Sequence, residues 1–328
     1  INWFECGLVR QHAGNARPFP GREASRYNET MSPGRCPDAR AWVLTVDMGL
    51  GHQRAVYPLQ NQIAKQVITA GAPEYSDPDE QKLWDRVRSS YEFLSRVRST
   101  PLVGKPLFSL LDNLQNIPPF YPLRDMSKPT YQVKLVSSLI RRGIAQGALE
   151  VTRREPLPLV SSHPIPALAA DAEGARRNYC IVSDAEISRA WVAEEPEKSN
   201  IVYLAPCGNA VRRLRRYGVQ DDRILLTGFP LPTELLGGPD LPVLRADVGQ
   251  RLNHLDPENR FWSLHRPSVE HFLGRRNCKF RGDRLFTVTF AVGGAGAQRE
   301  IGYKIAKSLR ERLRRRELRL NLVAGIRP

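Results

Sequence analysis

No apolar run in this sequence approaches the length of a membrane-spanning helix, and no charged segment followed by an apolar one marks a signal peptide. Cysteine is scarce. The five residues (Cys6, Cys36, Cys180, Cys207 and Cys278) lie far apart, with no C-x-x-C pair. A scattered, odd-numbered set argues against a disulfide framework or a thiolate zinc site and fits a reducing cytosol. Acidic residues are in deficit, 34 against 49 Lys and Arg, which leaves a formal charge of +15. That balance favours polyanions, anionic lipid surfaces or phosphorylated substrates. No recognition helix, zinc finger or aromatic-basic RNA signature accompanies it, so nucleic acid is not the expected partner. What remains is a chain of 328 residues, 41% hydrophobic and 25% charged, suited to one large core or two ordinary ones.

Glycine is used most tellingly in two places. Gly293-Gly294-Ala295-Gly296-Ala297-Gln298 follows an apolar run at residues 285–292, whose β-branched and aromatic content suits a buried strand. Ile301, Ile305, Leu309 and Leu313 come next, four apart on one helical face. Strand, glycine loop and helix together present backbone N–H groups and a positive helix end to a phosphate. The loop is neither a Walker A sequence nor a dinucleotide fingerprint. The same order occurs near the other end of the chain. A strand at 41–46 leads into Asp47-Met48-Gly49-Leu50-Gly51-His52, and Val56, Leu59, Ile63, Val67 and Ile68 then recur at helical spacing up to a cap at Gly71. Gly49 and Gly51 allow a sharp turn and close approach to a ligand, and His52 falls in the first turn of the helix.

Residues 1–40 read as an extended arm. From 73 to 154 the chain reads as a helical, basic insertion, with Trp84, Val87, Tyr91 and Leu94 on one stripe and Val133, Val136, Leu139 and Ile140 on another. Such stripes fit core-facing helices, or contact with an anionic membrane surface. From 157 to 232 strands and helices alternate. Strands end at Ser162-His163-Pro164, at Ser183-Asp184, at Ala205-Pro206 and at Thr227-Gly228-Phe229-Pro230. A helix between the last two places Val211 and Leu214 inside and Arg212, Arg213, Arg215 and Arg216 outside. Ligands of open parallel sheets sit beyond the carboxyl ends of the strands, where His52, His163 and Asp184 all fall. Residues 236–284 read as a linker containing a helix or two. The last segment, 285–328, supplies only two strands and a helix, the expected start of a truncated second domain.

With both loops placed, the chain resembles a GT-B-type glycosyltransferase, closest to the monogalactosyldiacylglycerol synthases and the family 28 N-acetylglucosaminyltransferases of peptidoglycan lipid intermediates. The resemblance rests on Gly49-Leu50-Gly51-His52, on Ser162-His163-Pro164, and on Val182-Ser183-Asp184 with Trp191 after them. It rests also on Tyr217-Gly218-Val219 with Thr227-Gly228-Phe229-Pro230, and on the loop from Gly293 to Gln298. It covers roughly residues 41–71, 157–232 and 285–327 and implies an α/β, GT-B-like fold. A Rossmann-like acceptor-side domain (41–235) would be followed by the beginning of a Rossmann-like donor domain.

The implied activity is inverting transfer of a sugar from a nucleotide sugar, UDP-linked, to a lipid or lipid-linked acceptor, by a cytoplasmic protein peripheral to the membrane. It needs no metal and no cofactor. By resemblance His52 is the candidate base, and Asp184 is its rival or an orienting partner. Gly49, Gly51 and His163 would form the acceptor-side loop. Gly293, Gly294, Gly296, Ala297 and Gln298 would lie against the donor diphosphate. Ala295 stands where many relatives place a small polar residue, and the ribose-holding carboxylate would fall beyond Pro328, so the fragment alone is expected to be inactive. The alternatives are a nucleotide-sugar epimerase on the same fold and a non-catalytic GT-B-fold binding protein.

Overall fold

The computed structural model describes residues 40–60, 63–97, 117–282, 285–292 and 299–324. The chain forms two compact units, one through Pro230 and one from Leu231 onward. The first is a Rossmann-like α/β unit built on a six-stranded parallel sheet.

In chain order the first unit contains β1 (Ala41–Val46), α1 (Leu50–Val56, extended by a 3-10 turn at Tyr57–Leu59), β2 (Ala64–Ala70), α2 (Pro78–Val97), α3 (Tyr131–Arg141) and α4 (Gln146–Thr152). It continues with β3 (Leu159–Ser161), α5 (Pro164–Ala172), β4 (Asn178–Ile181), a 3-10 turn at Arg189–Trp191, β5 (Ile201–Ala205), α6 (Gly208–Arg216) and β6 (Ile224–Leu226). The expected helix running to Gly71 is corrected here. Helical structure stops at Leu59, and Ala64–Ala70 is the edge strand β2, pairing along the whole of β1. Its Val67-Ile68-Thr69 core is β-branched, which suits a strand better than a helix and overrides the spacing.

Strand order is β2-β1-β3-β4-β5-β6, so the chain leaves β1 to one side and returns on the other at β3. The β1/β3 junction is therefore the topological switch point, where loops diverge and leave a crevice at the carboxyl ends. β1 is buried along its whole length. Trp42, Leu44 and Val46 pack with Ile68, Trp84, Ile144 and Leu149 on one face, while Ala41 and Val43 meet Ala55, Val56 and Leu59 of α1 on the other. Covering both faces of a parallel strand explains its apolar run, interrupted only by Thr45.

Polar groups hold the helices in place. Asp77 caps α2, its Oδ1 accepting from the N–H groups of Asp79 and Glu80 at 2.9 and 2.8 Å. The buried Glu80 carboxylate accepts from Ala145 N, Gly147 N and the Trp84 indole, each at 2.9 Å, and so docks the start of α4. Only glycine fits at 147, since a Cβ there would lie 1.8 Å from the Tyr75 carbonyl oxygen. One expected outward arginine is corrected: Arg213 is 3% exposed. Its guanidinium pairs with Glu186, donates to the Pro118 carbonyl at 2.6 Å and lies 4.0 Å from the Phe120 ring centre. It thus ties the proline-rich stretch to the domain.

The second unit contains α7 (Thr233–Leu236), α8 (Pro242–Leu255), α9 (Arg260–Leu273), β7 (Phe286–Ala291), α10 (Arg299–Ser308), α11 (Arg310–Arg314) and β8 (Leu318–Val323). Residues 236–284 thus carry two 14-residue helices and cluster with this unit. β7 and β8 pair in parallel. β7, expected as a buried strand, is instead mostly exposed, with Phe286 at 68%. Among the described residues it has β8 as its one strand neighbour, so too little surrounds it to cover both faces.

Candidate functional site

The site lies at the switch point. β1 ends at Val46, and the turn through Gly49 takes φ 119°, ψ 155°, a region open in practice to glycine alone. α1 then starts at Leu50 and places His52 in its first turn. The neighbouring strand β3 ends at Ser161 and leads through Ser162 and His163 to Pro164, which opens α5 with its fixed φ. His163 is the N-cap of α5, its Nδ1 accepting from Ile165 N at 3.2 Å. The two rings meet edge to face, centres 4.7 Å apart and planes at 79°. Trp191 completes the group, its ring 6.3 Å from His52 and 6.5 Å from His163.

The loop carrying these groups is braced by hydroxyls. Ser161 Oγ donates to the His163 carbonyl at 2.7 Å and accepts from its N–H at 3.2 Å. Ser162 Oγ donates to Thr45 Oγ1 of β1 at 3.1 Å, linking the two strand ends across the sheet. The segment after Trp191 is braced by the buried Arg189, which donates to the carbonyls of Ser127, Val192, Ala193 and Glu194, and the Trp191 carbonyl accepts from the Tyr203 hydroxyl at 3.0 Å.

Hydrogen bonding sets the protonation pattern. His52 Nδ1 lies 2.7 Å from the Ser162 carbonyl oxygen, which can only accept, so Nδ1 carries the proton and Nε2 keeps its lone pair. Ser183 Oγ lies 3.3 Å from the same Nδ1 as a secondary acceptor. Burial lowers the His52 pKa from its usual value, against the Ser162 bond and the Asp184 charge, which raise it. Burial, with the neighbouring His52, puts His163 well below its usual value. Both rings are therefore neutral near pH 7. Among the described residues neither Nε2 has a hydrogen-bond partner.

The geometry brings together His52, His163, Asp184, Gly49 and Gly51. Asp184 is exposed in the loop after β4 and acts on His52 through its charge; the next helical turn is capped by Ser188. A Cβ on Gly49 or Gly51 would meet nothing within 4 Å, and the same holds for Gly208 and Gly228 after β5 and β6. The backbone at this end of the sheet is thus open to a ligand. Gly293, Gly294, Gly296, Ala297 and Gln298 lie outside the described residues. Among the described residues no group of three or more His, Cys, Asp or Glu side chains could hold a metal ion.

Thr45, Ser161 and the Ser162 carbonyl were not singled out by the sequence reading. For Thr45 and Ser161 the signal is a hydroxyl residue at or next to the end of an otherwise apolar strand; the carbonyl has none. A separate groove of about 510 Å³ lies between α3, α5 and the segment after Trp191, with Val136, Ile140, Leu168 and Val192 among its walls; neither histidine lines it.

The fold and this site define a Rossmann-like α/β unit with a pair of contacting histidines at its switch point. Comparison with family models, with curated proteins and with solved structures found no match for this chain.

Proposed function

We propose that the chain is part of a GT-B-type glycosyltransferase that moves a sugar from a nucleotide sugar to a hydroxyl of a lipid or lipid-linked acceptor, with inversion. One observation carries the reading: a neutral His52 whose Nδ1 is committed to the Ser162 carbonyl, leaving Nε2 as a free base in the open end of the sheet. Direct displacement at an anomeric carbon requires such a group to take the acceptor proton. The open glycine backbone beside it and the excess of basic residues suit an anionic donor. Asp184 serves this base electrostatically, favouring the imidazolium that forms as the proton arrives.

The test is transfer from UDP-sugars by the full-length protein to diacylglycerol or a polyprenyl-linked acceptor. His52→Ala lowers turnover by about 10²- to 10⁴-fold. Its first unit keeps its fold, because His52 is part-exposed and caps nothing. A wild-type protein inert to every nucleotide sugar, or a His52→Ala variant at full rate, overturns this reading.

The lipid part of the proposal draws on exposed side chains: Tyr121 at 74%, Leu123 at 63%, Tyr131 at 68% and Leu135 at 49%, interspersed in sequence with Arg124, Lys128 and Lys134. Among the described residues no helix is long and apolar enough to cross a membrane. Vesicles containing anionic lipid sediment the protein, and Leu123→Asp with Tyr131→Asp releases it. Equal sedimentation of the double variant excludes this face.

A further inference from the structure

His163 has a place in the crevice that capping alone does not explain. Its Nδ1 is the acceptor of the Ile165 N–H, so the ring proton sits on Nε2 and the free edge of the ring is a donor. His52 is the opposite case: its Nδ1–H is spent on the Ser162 carbonyl, so its free edge is an acceptor. The ring centres are 4.7 Å apart. One alcohol oxygen making two ordinary hydrogen bonds of about 2.9 Å each at a near-tetrahedral angle joins nitrogens about 4.7 Å apart.

We propose that the two imidazoles form a seat for a single alcohol hydroxyl, which donates its proton to His52 Nε2 and accepts from His163 Nε2–H. This deepens the transferase reading and rests on it for the chemical step. There the acceptor O–H bond breaks and its proton passes to His52 Nε2. One lone pair of that oxygen forms the bond to the anomeric carbon, while the bond from that carbon to the diphosphate oxygen breaks and its electron pair leaves with the diphosphate. The other lone pair stays on His163 Nε2–H, which keeps its proton throughout. His163 is thus a catalytic residue by contact with the nucleophile: it orients the oxygen. The burial that keeps both rings neutral preserves the donor and acceptor pattern near pH 7.

The arrangement also selects the class of acceptor. A neutral alcohol is donor and acceptor at once and satisfies both rings. An ammonium group has no lone pair for His163 and would leave its buried N–H unpaired, a loss that makes such sites strongly discriminating.

Two substitutions separate this role from capping. The Asn oxygen falls near the position of imidazole Nδ1 and keeps the cap, while the Gln amide nitrogen falls near Nε2 and keeps the donor. His163→Asn is expected to unfold at or above the wild-type midpoint, yet to lose about 10- to 100-fold in kcat/KM for the acceptor. His163→Gln is expected to melt earlier but to hold turnover within about threefold of wild type. The reverse pattern, an active Asn variant and a disabled Gln variant, reduces His163 to a cap and overturns the proposal.

A second measurement is independent of activity. In protein labelled with ¹⁵N at histidine, glycerol shifts the Nε2 resonances of both His52 and His163, whereas methylammonium shifts neither. Absence of the glycerol shift overturns the hydroxyl seat. Should that shift be present while wild type transfers no sugar, the transferase reading fails and the seat stands.

Discussion

β1 and β7 are both six-residue strands of mostly apolar composition, each followed after a few residues by a helix. β1 is buried at every position, pairs with β2 and β3, and has helices on both faces. β7 is exposed or half-exposed throughout and pairs with β8 alone among the described residues. α10 comes near it at Gly302, where a Cβ would stand 3.3 Å from the Phe290 ring. Composition therefore announces a strand, but the number of neighbours decides what the strand is worth. Neighbours also decide chemistry. The loop after β1 gains its meaning from the loop after β3, which supplies the carbonyl and the second imidazole.

The sharpest test of that contrast is Leu44→Ala. Leu44 is wholly buried in the cluster that covers one face of β1, so its truncation costs the first unit about 2–5 kcal/mol in urea denaturation followed by hydrogen exchange. A loss below about 1 kcal/mol would make β1 no better packed than β7. Next comes Gly49→Ala. The new methyl finds open space, but the backbone there suits glycine alone, so the loss is conformational, about 1–3 kcal/mol. An unchanged unfolding midpoint would show the turn relaxing at no cost.

Acidification is expected to weaken the first unit selectively. His52 and His163 are held below their usual 6.5 when folded and return to it on unfolding. The unfolded chain then binds more protons, so stability falls as pH drops through about 6.5 and keeps falling until the native rings protonate. His163→Asn removes the larger share of that dependence, which denaturation midpoints at pH 7.5 and 5.5 would resolve. The smallest effect belongs to β7: Phe286→Ala should alter the second unit by no more than about 0.5 kcal/mol.

Much of the first unit could be read from the sequence because its signals are local. Alternation of short apolar runs with proline, glycine and hydroxyl residues marks β3 to β6 and the helices between them. Local periodicity misled at β2, where Val67 and Ile68 continue a helical spacing but pair with β1 as a strand. The direction of Arg213 was likewise hidden, since its partners Glu186, Pro118 and Phe120 are distant in sequence. His52, His163 and Asp184 could be placed at strand ends from the chain order alone. That two of them would touch, and which nitrogen of each would be free, depended on the β1–β3 adjacency and on a main-chain oxygen with no sequence signature.

That oxygen has a practical consequence. The group aiming His52 is the Ser162 carbonyl, and the Ser162 side chain is turned the other way to reach Thr45. Enzymes that orient a histidine with a carboxylate reveal the arrangement as soon as the carboxylate is replaced. Here every side-chain replacement at position 162 keeps the orienting atom, so a mutational scan would score the imidazole as self-sufficient while the sheet itself silently aligned it.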